Sequence, residues 1–148
     1  MRIAVSSDMD EPVARVLVYE LRKRGHDGDG HGALRGAGPE GAGRPDWAWS
    51  AESAAREVAE GRADSAVVCR WTGTGNKVPG VRAALCADAR TAEGARRWND
   101  ANVLAQSLRL TSEPLLKEIL DVWFAAVPDP DARTAANLAH LRELDGDA

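Results

Sequence analysis

Residues 2–25, RIAVSSDMDEPVARVLVYELRKRG, set the fold class. Arg2–Ser6 is a short run of strand-type residues, and Ser7-Asp8 closes it. Asp10-Glu11-Pro12 then opens a helix. Acid suits a first turn, and a proline there gives up an N–H that has no intrahelical acceptor. Val13, Val16, Leu17, Val18 and Leu21 supply the apolar stripe, and Arg22, Lys23 and Arg24 suit the helix's negative end before Gly25. Strand, loop and helix make the first half of an α/β unit.

The alternation continues along the chain. Asp46 caps a predicted helix to about Glu60, with Trp47, Ala51, Ala54, Ala55, Val58 and Ala59 directed inward. Ala63–Cys69 and Val81–Cys86 read as buried strands, Thr91–Trp98 as a short helix and Asn102–Ala105 as a short strand. Ser112–Phe124 has a clear helical stripe in Leu115, Leu116, Ile119, Leu120 and Trp123. Pro128-Asp129-Pro130 breaks it, and Asp131–Leu141 makes a last, more polar helix. Residues 1–143 are expected to form one domain, with 144–148 a frayed tail. The glycine-rich stretch 26–45 is predicted to be mostly loop. A strand would fall near 26–32, yet Asp27-Gly28-Asp29-Gly30 offers little to bury. The pattern predicts an α/β fold with a mostly parallel sheet.

Composition narrows the function classes. The 148 residues carry 19 basic and 23 acidic side chains, net −4, which argues against a general binder of nucleic acid or anionic membrane. No apolar run is long enough to span a bilayer, and the start of the chain has no secretory apolar core. Cys69 and Cys86 are too few for a disulfide framework and lack metal-ligand spacing. A reduced, cytoplasmic setting is therefore expected. No metal is implied, and no G-x-G-x-x-G follows the first strand, so no nucleotide cofactor is expected either.

Ligands of open α/β sheets sit beyond the carboxyl ends of strands. Four loops qualify: Ser7-Asp8-Met9, Arg70–Lys77, Asp88–Arg90 and Gln106–Arg109. Thr72-Gly73-Thr74-Gly75 is the most informative, because glycines after a strand let backbone N–H groups converge on an anion.

Asn76-Lys77-Val78-Pro79-Gly80-Val81-Arg82-Ala83-Ala84-Leu85-Cys86 and Trp98-Asn99-Asp100-Ala101-Asn102-Val103-Leu104 closely resemble the ribose-5-phosphate isomerase B / galactose-6-phosphate isomerase family. Ser7-Asp8, Pro45-Asp46 and Glu118–Trp123 support the match, which covers nearly the whole chain. The resemblance implies a Rossmann-like three-layer sandwich with a five-stranded sheet. It also implies a homodimer with active sites at the subunit interface, and a small sugar phosphate or related anionic metabolite as substrate. The implied reaction is aldose–ketose interconversion through an enediolate, driven by a base and an oxyanion site.

Several positions depart from the family pattern. Arg70 stands where the family has its cysteine base, and a guanidinium keeps its proton. Cys69, one residue earlier, should face the other side of the strand. Trp98 replaces the ring-opening histidine, Met9 the histidine after the first-loop aspartate, and Asn137 the second phosphate-binding arginine. The turn between Gly75 and Asn76 is shorter than the family's. Asp8, Thr72, Gly73, Gly75, Asn99 and Arg133 match. Asp8, Thr72 and Asn99 are thus the candidate catalytic residues, with Met9, Arg70, Trp71, Gly73, Gly75, Trp98 and Arg133 candidates for substrate binding. Asp8 reads equally as a cap for the first helix, and Asn99 as a loop amide. His26, His31 and His140 match no family position and are expected on the solvent side. Two functions fit these residues: a divergent sugar-phosphate isomerase, or a repurposed member that binds a small anionic ligand or serves as an accessory protein.

Overall fold

The computed structural model describes residues 1–35, 46–70 and 75–146, without the side chains of Arg35 and Arg70. Within them, strands β1 (Arg2–Ser7), β2 (Asp27–Gly32), β3 (Ser65–Arg70), β4 (Ala83–Leu85) and β5 (Val103–Ser107) form one sheet. Every pairing is parallel and the order is β2-β1-β3-β5-β4. The helices are α1 (Pro12–Lys23), α2 (Trp47–Ala59), α3 (Ala89–Asn99), α4 (Glu113–Ala125) and α5 (Ala132–Asp145).

Strand alternation divides the core into two layers. Ile3, Val5, Val67, Cys69 and Leu104 face Leu17 and Leu21 of α1, Ala92 of α3, and Leu116, Ile119, Leu120 and Trp123 of α4. Ala4, Ala66, Val68, Val103 and Ala105 face the other way, onto Ala54 and Ala55 of α2. Alanines on both sides of this second interface let α2 lie close to the sheet. Trp47 and Ala59, expected inward, are both exposed at the ends of α2. Asp46 is the N-cap residue of α2 but makes no capping side-chain hydrogen bond.

The doubtful second strand exists. Residues 27–32 pair in register with residues 2–7, Arg2 opposite Asp27 and Ser7 opposite Gly32. The ladder is built from backbone groups, so it forms although Asp-Gly-Asp-Gly contributes little side-chain burial. Gly32 must be glycine. It has φ +63°, and a Cβ there would lie 2.3 Å from Ser50 Oγ and 2.5 Å from the Ser7 carbonyl oxygen. The alternation of β2 turns His31 inward, where it is 3% exposed and its Nδ1 lies 2.7 Å from Ser53 Oγ on α2. The solvent-side expectation fails for this histidine. His26 is half-buried, its ring centroid 4.3 Å from that of Phe124.

Helix α5 runs through Asp145, past the Leu144 start expected for the tail, and closes at Gly146 with φ +85°. Asp145 accepts a hydrogen bond from the Gly80 backbone N–H at 2.9 Å. Among the described residues no helix is long and apolar enough to cross a membrane.

With this strand order, the chain leaves β1 toward one edge and β3 toward the other. The carboxyl ends of β1 and β3 therefore flank the crevice where such sheets receive ligands.

Candidate active site

The four strand-end loops differ in what they leave free. After β4, Asp88 caps α3 by accepting the Thr91 backbone N–H at 2.7 Å, which holds its carboxyl below the usual range. Beyond β5, the buried Gln106 amide donates to the carbonyls of Cys86 and Ala105, both at 3.1 Å, while its oxygen accepts from Thr111. Asp88 and Gln106 are thus spent on the fold. Trp71, Thr72, Gly73 and the side chain of Arg70, all candidates in the β3 loop, lie outside the described residues.

The β1 loop is different. Ser7 Oγ donates to the Met9 carbonyl at 2.5 Å and accepts from the Met9 N–H at 3.3 Å, which fixes the turn without using Asp8. Helix α1 is capped at Glu11 with no side-chain hydrogen bond, and Asp10 pairs with Arg15. Asp8 is thus not the cap of α1. Its Oδ1 is buried without a hydrogen-bond partner among the described residues. A buried carboxylate oxygen in that state is costly unless a ligand completes it. Met9 beside it is exposed.

A second group forms between α3 and α5. Trp98, Asn99, Asp131, Arg133, Asn137 and His140 are among the residues lining a cleft of about 710 Å³. The elements hold them firmly. Trp98 lies across Gly94 one turn earlier, so close that a Cβ on Gly94 would sit 2.8 Å from the indole Cζ3. The ring is 55% exposed. Arg82 fixes the end of α3, its Nε donating to the carbonyls of Asn99 at 3.2 Å and Asp100 at 2.8 Å. Asp131 caps α5 through the N–H groups of Arg133 and Thr134, both at 3.0 Å. The hydrogen bonds from Thr134 hold the Asp131 carboxyl below the usual range.

Three predicted residues distant in sequence, Trp98, Asn99 and Arg133, therefore share one cleft, with Asn137 beside them. Its lining comes from α3, α5 and the cap of α5, and it contains neither Asp8 nor Met9. Gly75 belongs to the packing instead. A Cβ on it would come within 2.7 Å of the Ala83 Cβ. Asn102 is likewise structural, tying the Arg82 N–H and the Gly80 carbonyl together at 2.8 and 2.9 Å. Both described cysteines are buried. Cys69 is buried in the layer facing α1 and α4, and burial, helped by Asp88, pushes the Cys86 thiol up to about 11.

The ribose/galactose isomerase family model matches residues 3–141. This chain belongs to that family. Galactose-6-phosphate isomerase subunit LacB of Clostridium acetobutylicum is 38% identical over 63% of this chain, and ribose-5-phosphate isomerase B of Escherichia coli 36% over 56%. The chain spans 57% and 59% of the length of those two curated relatives. A D-erythrulose-4-phosphate isomerase of Pectobacterium atrosepticum is 36% identical over 49% of this chain and 51% of its own. Among solved structures, ribose-5-phosphate isomerase B of Clostridium thermocellum superposes with TM-score 0.83 and 29% identity, covering 99% of this chain and 98% of that one. The type B enzyme of Trypanosoma brucei gives TM-score 0.79 at 30% identity, over 97% and 96%.

For a member of the ribose/galactose isomerase family, two features of the site escaped sequence reasoning. His140 lines the cleft although it matches no family position, and Arg82 positions Asn99 from the start of β4. For His140 the available signal was its spacing, seven residues after Arg133 on one helix. Arg82 gave none, since the contact depends on how β4 meets the end of α3.

Proposed function

We propose that the protein interconverts an aldose and a ketose sugar phosphate by proton transfer through an enediolate. The observation that carries this reading is the meeting of Trp98, Asn99 and Arg133 in one cleft. Arg133 supplies a permanent cation for the phosphate, Asn99 an amide for a sugar oxygen, and Trp98 a flat apolar wall for the carbon chain. Asp8 is the base: its carboxylate takes the proton from the carbon beside the carbonyl and returns it to the neighbouring carbon. Thr72, Gly73 and Arg70 are assigned to the developing oxyanion and Trp71 and Met9 to substrate contact, all on the sequence reading.

Because Asp8 does not line the cleft, the complete site is assigned to a homodimer, with Asp8 of one copy facing the cleft of the other. Helix α5 supports this arrangement. Of its fourteen residues Thr134 is the buried one, and Leu144 is 70% exposed.

The test is deuterium uptake at C2 of ribose 5-phosphate in D₂O, followed by NMR. The wild-type chain should exchange, and Asp8→Asn should slow exchange by about 10²–10⁴-fold without lowering Tm. A second reading, a family member that binds a small anion without turnover, is favoured by one observation. Both described thiols are held by the core. No exchange with any sugar phosphate, combined with binding that Arg133→Ala abolishes, decides for it.

A further inference from the structure

Gly94 lies in the interior of α3, where glycine is a poorer helix former than alanine. Its φ is not positive, so the backbone there accepts any L residue. What requires the missing side chain is the indole of Trp98, one turn later. A Cβ at position 94 would lie 2.8 Å from Cζ3, 3.1 Å from Cε3 and 3.8 Å from Cη2 of that ring. The benzene edge of the indole therefore rests on bare helix backbone. It covers Gly94, which is buried, although Trp98 itself is exposed. This seat puts the ring at the junction of two cavities. One is the α3–α5 cleft. The other, of about 540 Å³, runs along α3 and is lined by Ala84 of β4 and by Thr91, Gly94 and Ala95 of α3. Trp98 and Asn99 line both cavities, and Trp98 is the bulky apolar member of that shared wall.

We propose that Trp98, seated on Gly94, determines substrate specificity: it closes the α3–α5 cleft against the second cavity and so limits the carbon chain that fits. The proposal rests on the isomerase reading and deepens it, because it makes the shorter of two sugar phosphates the preferred substrate. With the phosphate held at Arg133, each added carbon presses the chain toward the indole. A methylene too many against a fitted apolar wall changes recognition by about 10–200-fold. Without the ring the two cavities join, and the longer chain gains room. Gly94 touches no substrate. It is a positioning residue that acts through Trp98, because any side chain at 94 would lift the ring from its place.

Two substrates of different length separate this role from a merely structural one. The experiment measures kcat/KM on ribose 5-phosphate and galactose 6-phosphate, together with Tm, for the full chain and three variants. The wild type should favour the ribose phosphate. Trp98→Ala should raise the galactose-to-ribose ratio of kcat/KM by about tenfold or more. Trp98→Phe, which keeps a ring over Gly94, should bring that ratio back toward the wild-type value. Gly94→Ala should shift the ratio without lowering Tm, because alanine favours a helix interior over glycine. An equal change on both sugars in Trp98→Ala overturns the proposal in favour of a general contact. An unmoved ratio in Gly94→Ala overturns the seat, and with it the assignment of Gly94. A wild type that converts both sugar phosphates equally well also overturns the proposal, while leaving the isomerase reading intact. Conversion of neither sugar phosphate removes both.

Discussion

Helices α4 and α5 are neighbours in sequence, nearly equal in length and capped in the same way, yet they serve different ends. Ser112 caps α4 through the Leu115 N–H, and Asp131 caps α5 through the N–H groups of Arg133 and Thr134. From there they diverge. Leu116, Ile119, Leu120 and Trp123 of α4 are fully buried, whereas α5 buries Thr134 alone. A cap sets where a helix begins but does not decide what the helix is for. The first helix closes the sheet. The second carries Arg133, Asn137 and His140 to a cleft and leaves Leu144 in the open.

The largest effect should come from Trp123. It is enclosed by the core, its Nε1 donates to Ser65 Oγ at 3.3 Å, and the Arg96 guanidinium lies 5.5 Å from its ring. Trp123→Ala should cost about 3–5 kcal/mol in denaturant unfolding. A value no larger than that of an α5 surface variant would break the comparison.

The next concerns how α4 is fastened to α1. Glu20, buried on α1, pairs with Arg24, which also reaches Asp121 of α4, and Lys117 of α4 lies 3.7 Å from Glu20. Its carboxyl is held below the usual range, first by the hydrogen bond from Arg24 and then by the Coulomb fields of Lys23, Lys117 and Arg24. A carboxyl lowered on folding adds stability that is fully present above its unfolded value, near 4.3. That stability disappears as pH falls through the lowered folded value. Acid unfolding of Glu20→Gln should therefore show a shallower loss of Tm below about pH 4.3 than the wild type. Parallel curves would mean that the pair does not link the helices.

The smallest stability effect is expected on α5. Leu144→Ser should leave monomer unfolding almost unchanged, because surface substitutions usually stay within about 0.5 kcal/mol. It should instead lower the dimer fraction in light scattering if α5 covers a second copy. A large loss of Tm without any change in mass would place Leu144 in the chain's own core.

The legible parts of this molecule are those in which side chains repeat their surroundings. The stripe of α1, the apolar strands β1 and β3, and the α4 pattern each advertise their buried face. Strand β2 does not, because its ladder is made of backbone groups and its side chains are aspartate and glycine. His31 was misplaced for the same reason: its inward direction follows from the pairing of β2 with β1, not from its own chemistry. In the candidate site, Trp98, Asn99 and Arg133 could be picked out one by one, and the loop carrying Asp8 could be located. That Asp8 does not cap α1, and that His140 joins the cleft, depend on where α1 starts and how α5 meets α3.

The sequence by itself determined the α/β alternation, the family and the identity of the polar residues near the strand ends, since each is written in local patterning and short motifs. Tertiary structure alone decided which polar groups are consumed by the fold and which stay available. A hydrogen bond such as that from the Gln106 amide to the Cys86 carbonyl uses up a donor and an acceptor only when distant segments meet. The same meeting leaves a carboxylate oxygen of Asp8 without a partner among the described residues and brings His140 to line one cleft with Trp98, more than forty positions earlier in the chain, which no local pattern encodes.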